Sequence, residues 1–141
     1  MSTTARILVV DDNRSLVRVI EGVLQKNGFQ VLTAFDGEEG LRQAKAEKPD
    51  LIILDIVMPR MDGYQVCRAL QDDPDTSAIP VLMLTVKGQV DDPDLDEASV
   101  RSGIEERMAG FDVGALDFLS KPVKANELLE RVRNLLLLDR V

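Results

Sequence analysis

A single cysteine, Cys67, rules out an internal disulfide. The longest apolar runs, Leu51-Ile52-Ile53-Leu54 and Leu135-Leu136-Leu137-Leu138, fall far short of the roughly 20 residues that cross a bilayer. The opening stretch, Met1-Ser2-Thr3-Thr4-Ala5-Arg6, lacks the apolar segment of a secretory signal. No Lys/Arg cluster occurs, and 25 acidic against 17 basic residues leave a net charge of −8, so direct nucleic-acid contact is not expected. The acidity otherwise reads as plain solubility. A lone thiol and no export signal favour a cytoplasmic protein without membrane contact. Internal repeats, low-complexity stretches and linkers are also missing.

What is present is a chain of 141 residues, 45% apolar, enough for one globular domain over 1–141 with a real core. Five short apolar runs recur: Ile7–Val10, Phe29–Leu32, Leu51–Leu54, Val81–Leu84 and Leu116–Leu119. They are continuous rather than alternating, which suits strands buried on both faces of a parallel sheet. The segments between them read as amphipathic helices. Leu16, Val17, Ile20, Val23 and Leu24 share one helical face, and Gly28 stops that helix. Asp36 and Glu39 resemble a capping box opening the second. Val66, Cys67 and Leu70 line a third, ended by Asp72-Asp73-Pro74. Ile104, Met108 and Phe111 line a fourth, and Leu128, Leu129, Val132, Leu135 and Leu136 a fifth. The expectation is an α/β fold: a (βα)5 doubly wound, five-stranded parallel sheet with the flavodoxin-like strand order 2-1-3-4-5.

One region breaks the rhythm. An acidic insertion at about 87–101 separates strand four from helix four. Asp92-Pro93 offers an N-cap followed by proline at the first helical position, so a helix from about Pro93 and a surface loop are equally good readings.

Sites in open α/β sheets form beyond the carboxyl ends of the strands. Here strand one ends in Asp11-Asp12, strand three in Asp55 and strand four in Thr85, while strand five is followed by Lys121-Pro122. In the expected order these strands are neighbours, so the five side chains converge. Singly, each has an ordinary use as a turn, cap, strand or loop residue. Together they form a chemistry. Three adjacent carboxylates repel and raise the pKa of at least one, and a hard divalent cation relieves that. Mg2+ (or Mn2+) fits oxygen ligands and a phosphate oxygen. Asp55 can then be the nucleophile of an acyl phosphate, with the Lys121 ammonium and Thr85 hydroxyl around the phosphoryl oxygens.

These residues carry a family resemblance over nearly the whole chain. The stretches Ile7 to Asp12, Leu51 to Gly63, Pro80 to Thr85 and Gly114 to Pro122 resemble a two-component response-regulator receiver domain, stand-alone or isolated from a longer chain. The resemblance implies that Asp55 takes a phosphoryl group from a phosphohistidine on a sensor histidine kinase or histidine phosphotransfer protein. It implies that Asp11, Asp12 and Asp55 hold the metal together with the Val57 backbone carbonyl. Lys121 would pair with the phosphoryl group and Thr85 would move to bond it. Phe118 would then rotate inward and reshape the face of helix four, strand five and helix five for a downstream protein partner. A cis peptide before Pro122 is implied too. Such a domain is no enzyme beyond catalysing its own phosphorylation and dephosphorylation.

Three departures from the family pattern stand out. Val86 replaces the usual small residue after Thr85 and would narrow access to the site. Val57 and Lys87 occupy positions that tune dephosphorylation in the family, and Val57 cannot orient a water, so slow self-dephosphorylation is expected. The third is the insertion, which borders the switching face. Among rivals, a haloacid-dehalogenase-type phosphatase needs a second Asp where Val57 stands. A flavodoxin-like flavin binder needs a Ser/Thr/Gly-rich phosphate loop where Asp11-Asp12 would repel the phosphate. A degenerate receiver serving only as an interaction module sits badly with a complete site. Cys67 and Met58, Met61 and Met83 are expected to be packing residues, and the Leu135–Leu138 run is compatible with a homodimer contact.

Overall fold

A computed structural model describes residues 4–85 and 116–139. The strands are β1 (Arg6–Val10), β2 (Gln30–Ala34), β3 (Leu51–Asp55), β4 (Val81–Thr85) and β5 (Leu116–Ser120). The helices among the described residues are α1 (Arg14–Lys26), α2 (Gly37–Glu47), α3 (Gly63–Asp72) and α4 (Ala125–Asp139). Here α4 corresponds to the expected fifth helix. The expected fourth helix and the 87–101 insertion lie outside the described residues, as do Val86 and Lys87.

All strands pair in parallel, in the order β2-β1-β3-β4-β5. The continuous apolar runs follow from this arrangement. Side chains alternate faces along a strand, and both faces carry helices. Leu8, Val10, Ile52, Leu54, Val81, Met83 and Phe118 join the apolar sides of α2 and α3. Ile7, Val9, Leu51, Ile53, Leu82, Leu84 and Leu119 join α1 and α4 on the opposite face. Each face therefore needs apolar residues at every second position, and the two sets interleave into an unbroken run.

The helix ends follow local sequence. In α1, Asn13 is the N-cap, its side chain accepting from the Leu16 amide at 3.1 Å. Its far end closes with Gly28 N–H donating to Gln25 O and Phe29 N–H to Leu24 O, both at 3.1 Å, around Gly28 at φ +90°. That is the paired hydrogen-bond pattern of a glycine-terminated helix. It also explains why β2 starts at Gln30 and runs on to Ala34: Phe29 is used in the cap, while Thr33 and Ala34 continue the pairing with Val9 and Val10. At α2 the expected box is only half made. Asp36 accepts from Glu39 N–H at 2.8 Å, but the Glu39 carboxylate accepts from Phe35 N–H at 3.1 Å, one residue further back. The full reciprocal box occurs on α3, between Asp62 and Gln65.

Cys67 is buried in the α3 face of the core, where burial pushes its thiol up to about 11. Met58 and Met83 are buried and Met61 packs against the same core cluster, as packing residues should. On α4, Leu135 and Leu136 are buried while Leu137 is exposed. No helix among the described residues is long and apolar enough to cross a membrane.

Candidate phosphoacceptor site

Register builds the site. Val10 pairs with Leu54, so Asp11, one residue past Val10, stands beside Asp55. Thr85 pairs with Ser120, so Lys121 follows directly. The Lys121 amide donates to the Thr85 carbonyl at 2.6 Å, which ties the loop after β5 to the end of β4. The Lys121–Pro122 peptide is cis. From this anchor the lysine side chain reaches across to the two acids. Its Nζ lies 3.2 Å from Asp55 Oδ1 and 3.2 Å from Asp11 Oδ2.

Burial decides the electrostatics. Asp11 and Asp55 are 0% and 2% exposed, while Asp12 faces solvent. Burial of Asp55, followed by repulsion from Asp11, pushes its carboxyl from 3.8 up to about 6. The Lys121 ammonium and the Val57 amide, which donates to this carboxylate, pull the other way and only moderate the rise. Burial works against the charge on Lys121, but Asp11 and Asp55 outweigh it and raise its pKa. Among the described residues, one cation therefore serves two buried acids.

That imbalance leaves a visible gap in bonding. Asp11 Oδ1 accepts from the Asn13 amide at 2.9 Å. Among the described residues Asp11 Oδ2 is buried with no hydrogen-bond partner of good geometry, although the Lys121 ammonium lies 3.2 Å from it. Carboxylate oxygens of Asp11, Asp12 and Asp55 lie within 4.8 Å of one another. An all-oxygen donor set with excess negative charge and an unsatisfied buried oxygen suits a hard divalent cation.

The remaining predicted residues lie on β4, β5 and the loop after β3. Thr85 is buried at the end of β4. Val57, two residues past Asp55, is 54% exposed. Phe118 is 2% exposed, inside the α2/α3 face of the core. Behind it, Asp117 accepts from the Phe118 amide at 2.8 Å, and Arg131 of α4 lies 3.3 Å from both Asp117 oxygens.

Some contributors were not singled out from sequence. Asn13 caps α1 and braces Asp11, and the Asn two residues after the first acid was the available signal. Arg60 adopts φ 69° in the loop after β3 and lies 3.6 Å from Asp36, the α2 N-cap. Arg14 stacks 4.1 Å from the centre of the Phe35 ring. These contacts join residues whose closeness only the fold reveals.

Comparison with known proteins agrees with this geometry. The sequence model described as "Response regulator receiver domain" matches residues 7–98. Response regulator PleD of Caulobacter vibrioides is 44% identical over 132 residues, 94% of this chain and 26% of that protein. The alkaline phosphatase synthesis transcriptional regulatory protein PhoP of Bacillus subtilis is 39% identical over 131 residues, 93% of this chain and 48% of that protein. The chain thus spans about a quarter to a half of the length of these relatives. Among solved structures, chemotaxis protein CheY4 of Vibrio cholerae superposes with a TM-score of 0.77 at 28% identity, covering 94% of this chain and 99% of that one. The signal receiver domain of a signal transduction histidine kinase from Syntrophus aciditrophicus gives 0.74 at 34% identity, covering 94% and 90%. The acid cluster at the strand ends, the β2-β1-β3-β4-β5 sheet and these matches together establish that the chain belongs to the receiver domain family of two-component response regulators.

Proposed function

We propose that the domain is a phosphorylation switch in which Asp55 accepts a phosphoryl group from a phosphohistidine on a sensor histidine kinase or histidine phosphotransfer protein. The observation that carries this reading is the Asp55 carboxylate itself. It is buried at a strand end, 3.2 Å from the Lys121 ammonium and within 4.8 Å of two further acids. A structural acid has little reason to sit where burial and Asp11 both oppose its charge.

Asp11, Asp12, Asp55 and the Val57 carbonyl would hold Mg2+ (or Mn2+), which when bound would supply charge neutralisation for the incoming phosphoryl group. An Asp55 carboxylate oxygen attacks phosphorus as the P–N bond to the donor imidazole breaks, and because the other ring nitrogen of that imidazole carries a proton, neutral histidine leaves and an acyl phosphate is formed. Lys121 shifts from carboxylate pairing to a phosphoryl oxygen, and the Thr85 hydroxyl donates to another. The signal passes from Thr85 through Phe118 to the face of strand five and its flanking helices, which binds a protein partner. The domain acts in the cytoplasm, on proteins rather than on nucleic acid, and catalyses only its own phosphorylation and dephosphorylation.

The test is incubation with acetyl phosphate and Mg2+, read by intact mass. A gain of one phosphate in wild type and none in Asp55→Asn supports the switch. Steady hydrolysis of phosphate esters without a stable adduct would point instead to a phosphatase.

A further inference from the structure

The first turn of α3 comes unusually close to the acceptor strand. Gly63 N–H donates to the Ile56 carbonyl at 2.7 Å. A methyl group in place of the Gly63 hydrogen would stand 2.5 Å from the Asp55 carbonyl oxygen, 2.8 Å from Ile56 Cα and 3.1 Å from the Asp55 carbonyl carbon. All three are backbone atoms, so no flexible side chain can turn aside. At Gly40, by contrast, the nearest atoms to such a methyl are the side-chain carbons of Val10. The helix start is locked in this position from its other side. Asp62 Oδ1 accepts from Gln65 N–H and Gln65 Oε1 accepts from Asp62 N–H, both at 2.9 Å. Asp55 is held in turn by its own backbone: the next amide, Ile56 N–H, donates to Leu84 O at 3.2 Å. Any side chain at position 63 must push apart α3 and the end of β3, and the residue at that end carries the reacting carboxylate.

We propose that Gly63 is a positioning residue for phosphoryl acceptance: its missing side chain lets the capped first turn of α3 seat on the Asp55–Ile56 backbone and fixes where the Asp55 carboxylate points. The inference rests on the acceptor role given to Asp55 above. Displacement of the backbone by a few tenths of an ångström or more tilts that carboxylate relative to Lys121 and Asp11, and in-line transfer is steep in such errors. A misplacement of about 1 Å can lower a rate on the order of 100-fold.

The experiment measures the rate of labelling by acetyl phosphate and Mg2+ in wild type, Gly63→Ala and Leu24→Val. Leu24 is a buried core residue in the last turn of α1, at the opposite end of the sheet, and its truncation destabilises the core without touching the site. Wild type must first label at Asp55; failure there overturns the acceptor role and the inference with it. Given labelling, Gly63→Ala is expected to react roughly 10- to 100-fold more slowly while Leu24→Val, with a similar loss of Tm, keeps close to the wild-type rate. Equal rates in Gly63→Ala and Leu24→Val overturn the positioning role and leave the acceptor role standing. Should Gly63→Ala fail to fold, Asp62→Ala loosens the same turn from its cap. It is expected to slow labelling several-fold, with rescue by Asp62→Ser, which can cap again. A wild-type rate in Asp62→Ala overturns the proposal.

Discussion

Replacing Asp55 by asparagine should make the metal-free protein more stable at neutral pH although it removes the proposed phosphoacceptor. The carboxyl is raised from 3.8 to about 6, first by burial and then by Asp11. At about 1.4 kcal/mol for each pH unit, keeping it ionised in the folded state costs about 3 kcal/mol. The Lys121 contact with Asp55 is lost in the variant, but the ammonium keeps Asp11 at 3.2 Å, so the offset is partial. The net gain is roughly 1–2 kcal/mol, or about 3–6 °C in Tm for a domain of this size. The pH dependence has a definite sign. An acid with a raised folded-state pKa binds its proton more tightly when folded. Its relative stability is therefore fully present below 3.8 and lost as pH rises through about 6. The advantage of Asp55→Asn should be complete at pH 7.5 and largely gone at pH 4. Thermal melts in EDTA at both values measure it. Saturating Mg2+ should then close the gap at pH 7.5, because wild type binds it better: a ligand at 100 times its Kd adds about 2.7 kcal/mol. An asparagine variant no more stable than wild type at pH 7.5, or equally favoured at both pH values, would refute the claim that burial and Asp11 frustrate this carboxylate.

Lys121→Ala leaves Asp11 and Asp55 buried without their shared cation, so metal-free stability should fall by about 3 kcal/mol in urea melts, with much of it restored by Mg2+. Thr76→Val removes the 2.8 Å bond from a buried hydroxyl to the Leu70 carbonyl at the end of α3, and should cost about 1 kcal/mol in the same assay with labelling unchanged. Val57→Asn replaces an exposed apolar side chain near the acceptor with one able to orient water, so loss of phosphate from purified protein, followed by mass, should speed up several-fold. Cys67, buried and with its thiol pushed up to about 11, should resist thiol reagents at pH 7.5 until denaturant is added.

Much of this fold was legible because its sheet is parallel and covered on both faces. That arrangement writes itself into sequence as short unbroken apolar runs, and Ile7–Val10 or Leu51–Leu54 admit few other readings. The edge strand was harder. β2 runs Gln30–Ala34 rather than Phe29–Leu32, because Phe29 looks like a strand residue but spends its amide closing α1. Local chemistry misled in the same way at α2, where Asp36 and Glu39 have capping-box spacing but the glutamate reaches Phe35 instead. The acid cluster was legible for a different reason. Strand order turns residues far apart in sequence into neighbours, and each of Asp11, Asp55, Thr85 and Lys121 sits where a strand ends.

What sequence could not supply was the energetic state of that cluster. Spacing places Lys121 near Asp55 but does not say that it is shared with Asp11 at the same distance of 3.2 Å, or that Asp11 Oδ2 is left buried without a hydrogen bond. Those two facts change how the site works. A lysine satisfied by one carboxylate would have to be torn away to meet a phosphoryl group. A lysine divided between two anions gives up little when a third, more highly charged anion arrives, and the acid it releases is the one a metal ion can take. In the proposed switch, the frustration that weakens the resting fold is the same feature that would ready Asp55 for phosphoryl transfer, which is why the stability of Asp55→Asn and the labelling of wild type test one physical idea from two sides.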